Sequence, residues 1–249
     1  MNHLLYILLS CGWTNYQKAL VWRRLVFYEL CIMKKLLKNN LTYFIPFLLV
    51  WFGGLSWVLN HSKFEQMRWI NAHRTNWTDS FFWGATQLGE GWFFVVMILI
   101  WLFFNYKQSI IGLVAFAVST LFSQALKFTF QTLRPSEFFK DIHYPWHYVE
   151  GVELHGFNSF PSGHTTSAFC IFTLWVFFKQ KSVLNPVFLL LAVLAAYSRP
   201  YLFQHFPEDL LGGAIVGTAS AFFAVLIYEV YFEKKFPDLS KKGLFVHKI

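Results

Sequence analysis

The sequence predicts an all-α integral membrane protein whose core is a bundle of six spanning helices. Two features of composition and one of pattern lead there. The 249 residues are 56% hydrophobic and only 14% charged, whereas a soluble domain carries roughly 25% charged residues. Aromatics make up 21%, with 31 Phe and 11 Trp, which suits lipid contact and interfacial belts. The apolar stretches are continuous rather than alternating, and so exclude the short dyad-repeat strands of a membrane β-barrel.

Taken in order, residues 1–40 form a basic N-terminal extension expected on the cytoplasmic side. Its apolar run Leu4–Ser10 is too short to span, and Met33 stands directly before Lys34 and Lys35. Residues 1–32 are therefore expected to be dispensable. A bilayer core asks for about 20 apolar residues, and six runs answer to that: 41–60, 91–105, 109–126, 162–178, 183–198 and 210–232. Pro186 falls in the first turn of the fifth run, where its missing N–H costs little. Residues 61–90 form an outside loop in which Phe64, Met67, Trp69, Ile70, Trp77, Phe81 and Phe82 suggest helix. That helix either lies at the interface or packs as an ordinary loop helix. A second outside loop, 135–161, is long enough to expect a binding or lid role. The spanning domain is 41–232, and 233–249 is a basic cytoplasmic tail.

The charge pattern sets the orientation. With the N-terminus inside, 14 of the 21 Lys and Arg residues fall in cytoplasmic segments, as the positive-inside rule asks. The net charge of +8 is thus a matter of topology. No basic stripe is present to hold nucleic acid. Three Cys without metal-ligand spacing (Cys11, Cys31, Cys170) exclude a disulfide framework or a zinc site.

Three short segments carry chemistry: Lys127-x6-Arg134-Pro135, Pro161-Ser162-Gly163-His164, and Ser198-Arg199-x5-His205-x3-Asp209. Taken singly, each has an ordinary structural role. A lysine at a span end can snorkel, Pro-Ser before a helix can cap it, and His with Asp four residues on can be a surface pair. Span parity removes that reading, because all three segments meet at the same membrane face. Ionisable groups gathered beside apolar spans are costly and mark function.

Lys127, Arg134 and Arg199 supply three positive charges, and arginine adds paired donors matched to phosphate oxygens. Ser162 and Gly163 open a helix, where N–H groups and the helix dipole favour an anion. His205, oriented by Asp209 one helical turn on, is placed as nucleophile. His164 is placed as general acid. The reaction expected is in-line attack by His205, a phosphohistidine intermediate, and hydrolysis. The cations stabilise the equatorial oxygens, so no metal or other cofactor is required.

These segments resemble the type 2 phosphatidic acid phosphatase superfamily, whose pattern KxxxxxxRP, PSGH and SRxxxxxHxxxD they match in order and spacing over about residues 41–232. The resemblance implies a six-helix membrane core of the PAP2/haloperoxidase type. It implies Lys127, Arg134 and Arg199 as phosphate ligands, His164 as acid, His205 as nucleophile and Asp209 as its partner. Pro200, Gln204 and Glu208 depart from the usual residues of the last motif, which bears on the rim of the site and on substrate identity. Related soluble haloperoxidases hold vanadate in the same cradle; the spans here argue against that activity.

The expected substrate is a phosphorylated lipid of the undecaprenyl diphosphate, phosphatidylglycerol phosphate, phosphatidic acid or lipid A class. The expected place is a bacterial inner membrane, with the site facing the periplasm or outside. Two alternatives remain: a lipid phosphotransferase using the same intermediate, and a non-catalytic protein that binds or moves phosphorylated lipids.

Overall fold

The computed structural model describes residues 15–233, 235, 237 and 243–245; Cys11 and the apolar run from Leu4 to Ser10 lie outside them. The described residues are helical, with no strand among them. In chain order the helices are α1 (Asn15–Asn39), α2 (Leu41–Asn60), α3 (Lys63–Ala72), α4 (Asn76–Ala85), α5 (Gly91–Phe104), α6 (Tyr106–Phe130), α7 (Pro135–Phe138), α8 (Gly163–Lys179), α9 (Asn185–Tyr201) and α10 (Pro207–Ile227).

Each of the six expected runs is a helix, yet among the described residues only three helices are both long and apolar enough to cross a membrane: α2, α6 with its extension to Phe138, and α10 with its extension to Phe232. A fourth span arises if α4 and the following 3₁₀ turn, Thr86–Gly89, join α5 across a 55° bend. Both α8 and α9 have 17 residues. Polar residues in α8 follow from the position of that helix. It is buried almost throughout, so its neighbours are helices rather than lipid, and it carries threonines paired inside the bundle. Thr173 Oγ1 lies 3.0 Å from the Tyr43 hydroxyl, and Thr166 Oγ1 donates to the Ser162 carbonyl at 2.9 Å.

The loop 61–90 resolves in favour of packing for α3. Ser62 caps that helix in a reciprocal pair with Glu65, two end donors satisfied at once. Met67 and Ile70 are buried, Met67 against Phe139, Phe203 and Phe206 and Ile70 against Tyr201 and Leu202. By contrast α4 has no buried residue and exposes Trp77. At the opposite end of the bundle, Lys107 bridges Glu229 at 2.8 Å and Glu233 at 3.2 Å. There Leu36 of α1 enters the core with Ile32 against it. The tail returns to α5, with Phe245 N–H donating to the Phe103 carbonyl at 2.9 Å.

What positions the site is the crossing of α8 and α10. A Cβ on Gly217 would stand 2.2 Å from the Thr166 carbonyl oxygen, and one on Gly213 would stand 2.8 Å from that of Ser162. Small residues let two membrane helices approach backbone to backbone. Gly53, on the outer face of α2, has no atom within 4 Å of such a Cβ. Gly217→Ala is therefore expected to destabilise by about 1–3 kcal/mol through overpacking. Gly53→Ala is expected to be neutral or to stabilise by up to ~1 kcal/mol through helix propensity. Thermal unfolding of both variants in the same detergent checks the contrast in sign.

Candidate active site

The helix crossing brings the three sequence segments together. Asp209 is the third residue of α10, and its Oδ2 reaches back to accept the N–H of Phe206 at 2.8 Å. This is the geometry by which an acidic residue caps a helix start. The carboxylate is thereby fixed towards His205, whose Nδ1 lies 3.4 Å from the same oxygen. The sequence reading put His205 and Asp209 one turn apart on a helix. The helix instead starts at Pro207, so His205 sits in the turn before it and the pair meets across the cap.

A third group, absent from the sequence reading, joins them. Ser159 Oγ donates to Asp209 Oδ2 at 2.6 Å and lies 3.3 Å from His205 Nδ1. Ser159, His205 and Asp209 are all buried. The signal was present in principle, since Ser159 stands three residues before Ser162. Ser and Thr are too common before helices for spacing alone to single it out.

The phosphate turn is built differently from expectation in one respect. The Ser162 N–H donates to the Asp209 carbonyl at 3.0 Å. Its hydroxyl accepts from Thr165 Oγ1 at 3.0 Å and caps Thr165 N–H at 3.4 Å. Ser162 is thus committed to holding α8 on α10. The N–H groups of Gly163 and His164, at the open start of the helix, are the ones left for an anion. Lys127 Nζ lies 3.8 Å from where a Cβ on Gly163 would stand, so the ammonium sits over that turn.

Arg134 and Arg199 are both buried. Arg134 donates to the Phe157 carbonyl at 3.0 Å and to Gln204 Oε1 at 3.1 Å. Gln204, one of the departures from the usual pattern, is itself fixed by donation to the Glu153 carbonyl at 2.8 Å. Arg199 donates to Thr86 Oγ1 at 2.7 Å, while its Nε is buried without a partner among the described residues. His164 lies beside the turn with Nε2 2.8 Å from Glu90 Oε1. Glu90 is the second group that the sequence reading missed. Its signal was a lone acid between two glycines at the head of the apolar run 92–104.

Burial, first, and then the positive charges of Arg134, Arg199 and Lys127 press the His205 imidazole well below the usual histidine range. The ring is neutral at physiological pH, with an electron pair available. The long loop 139–161 packs over this corner. Trp146 lies against Phe139 and Phe203, and the Asn71 amide donates to the His147 carbonyl at 2.8 Å.

Fold and corner together define a membrane-embedded helix bundle that gathers cations and a helix start around an oriented histidine. The chain belongs to the PAP2 superfamily, whose profile matches residues 108–233. It is an integral membrane protein and a PAP2-type phosphatase. Phosphatidylglycerophosphatase B of Bacillus subtilis is 29% identical over 158 residues, 58% of this chain and 72% of that one. The putative undecaprenyl-diphosphatase YbjG of Escherichia coli is 31% identical over 146 residues, 58% and 69% of the two chains. Among solved structures, the transmembrane PAP2-type phosphatidylglycerolphosphate phosphatase of B. subtilis superimposes with a TM-score of 0.53 at 25% identity. It covers 78% of this chain and 97% of its own.

The buried His205 carries a consequence for stability. Its folded pKa is depressed, so the unfolded chain takes up a proton that the folded chain refuses once the pH falls below ~6.5. Stability is therefore expected to fall as pH drops from 7 towards 5, and His205→Gln is expected to reduce that fall. Melting temperatures of the two proteins across that range measure the difference; equal slopes count against a neutral buried His205.

Proposed function

We propose that the protein hydrolyses a lipid phosphate or diphosphate at the outer face of a bacterial cytoplasmic membrane, without a metal, through a phosphohistidine on His205. The observation that carries this reading is the buried His205–Asp209–Ser159 group set beside Lys127, Arg134, Arg199 and the open start of α8. A protein that only binds phosphate needs the cations and the helix start, but not an oriented neutral imidazole. The outer location rests on the positive-inside asymmetry.

In the first step His205 attacks phosphorus and the bond to the leaving oxygen breaks, while His164 gives that oxygen its proton. Asp209 stabilises the positive charge that grows on the His205 ring. Lys127, Arg134 and Arg199 meet the charge on the equatorial oxygens, with the unpartnered Arg199 Nε and the N–H groups of Gly163 and His164 as donors. In the second step a water, relieved of a proton by His164, attacks the phosphohistidine and releases inorganic phosphate.

Phosphate release from a lipid phosphate is expected to be unchanged in EDTA and to fall at least about a thousandfold in His205→Ala. His164→Ala separates the two steps. With p-nitrophenyl phosphate, whose leaving group needs no proton, a burst of one nitrophenolate per active site is expected before slow turnover. Acid-labile phosphate should then be trapped on the protein. Trapping of that phosphate in His205→Ala would refute the nucleophile assignment.

A further inference from the structure

A cavity of about 200 Å³ opens beside the cradle between α5, α6 and α8. Lys127, Gly163 and His164 form its rim towards the phosphate turn. Glu90 stands in its wall, 2.8 Å from the ring of His164. Ser123 and Gln124, one turn inward from Lys127 on α6, also line it. Neither of their side chains has a hydrogen-bond partner elsewhere among the described residues. Polar side chains in the wall at this depth are not needed to accommodate a hydrocarbon chain, and unpaired polar groups beside lipid are costly.

On the phosphatase reading above, the oxygen that His164 protonates must come within hydrogen-bond reach of its ring. The atoms bonded to that oxygen then lie in this cavity, next to the Glu90 carboxylate. If the substrate were a diphosphate, those atoms would be a second phosphate, and its anionic oxygens would meet a carboxylate of like charge. If the leaving oxygen sits on a hydroxyl-bearing carbon skeleton, neighbouring hydroxyls can donate to Glu90 and pair with Ser123 and Gln124.

We propose that Glu90 and this pocket make the enzyme selective for phosphomonoesters of a hydroxylated leaving group, glycerol or sugar, over lipid diphosphates. Selectivity of this kind comes from penalising the wrong group as much as from holding the right one. Glu90 contacts the leaving group and leaves the choice of nucleophile untouched.

The test compares kcat/KM of the full-length detergent-solubilised protein on four substrates: phosphatidylglycerol phosphate, a glucosamine-linked lipid monophosphate, phosphatidic acid and undecaprenyl diphosphate. The wild type is expected to favour the better of the first two over the diphosphate by at least about tenfold, and Glu90→Gln to shrink that ratio by a similar factor. Whichever of the two is better identifies glycerol or sugar. Gln124→Ala is expected to weaken the hydroxylated substrates more than phosphatidic acid, whose remaining glycerol hydroxyls are acylated. All four substrates use His164 and His205, so a Glu90→Gln that only misplaced His164 would lower every rate alike, and that result overturns the proposal. Equal or better cleavage of undecaprenyl diphosphate by the wild type also overturns it, while leaving the phosphatase reading intact. Release of phosphate from none of the four overturns both.

Discussion

The join between the starts of α8 and α10 is the constraint on which the site depends. Ser162 spends its N–H on the Asp209 carbonyl, and Gly213 lets the Ser162 carbonyl approach α10 where any side chain would block it. Through that join, the open helix start of α8 and the carboxylate that faces His205 become one unit. Their separation in sequence is 47 residues, counted from Ser162 to Asp209. Backbone contact sets it more tightly than side-chain packing could, because interdigitated side chains hold helices ~8–10 Å apart.

Charge balance follows from this frame. Three cations converge on a corner whose one fully buried carboxylate is Asp209, so the site carries a surplus of positive charge. Burying such a surplus is costly. Part of the cost is offset by neutral acceptors aimed at the guanidinium groups: the Phe157 carbonyl and Gln204 amide on Arg134, and the Thr86 hydroxyl on Arg199. Neutral acceptors orient the arginines without cancelling their charge, whereas a carboxylate in their place would have competed with phosphate. Burial first, and then the same surplus, hold His205 neutral, so the feature that favours an anion also bears on the histidine beside it.

The sequence made legible whatever depended on periodicity and on charged residues beside apolar runs. All six helix positions were readable, and span parity put Lys127, Arg134, His164, Arg199, His205 and Asp209 at one end of the bundle. Two kinds of detail were not readable. The span status of α8 and α9 was not, because at 17 residues each they are shorter than α2, α6 and α10. Ser159 and Glu90 were passed over because their roles arise from contacts across 50 and 74 residues, which no local pattern reports. The assumed helical turn between His205 and Asp209 failed for a related reason. Pro207 is readily accepted at the first position of a helix, and it starts α10 after His205 rather than at it.

The bend ahead of α5 shows how an apolar helix can deliver a polar group to a neighbouring helix. A straight apolar span would carry its acids at its ends. Here α4 and the 3₁₀ turn approach α5 at 55°, and Glu90 falls at the vertex between them. Gly89 completes the arrangement, because a Cβ there would stand 2.7 Å from the His164 carbonyl oxygen. Its absence lets the vertex close onto the first turn of α8, and Glu90 follows it to the imidazole. His164 and the carboxylate beside it therefore owe their contact to a missing side chain one residue away. The same closure sets the wall of the neighbouring cavity, so its shape is governed by how the chain turns into α5.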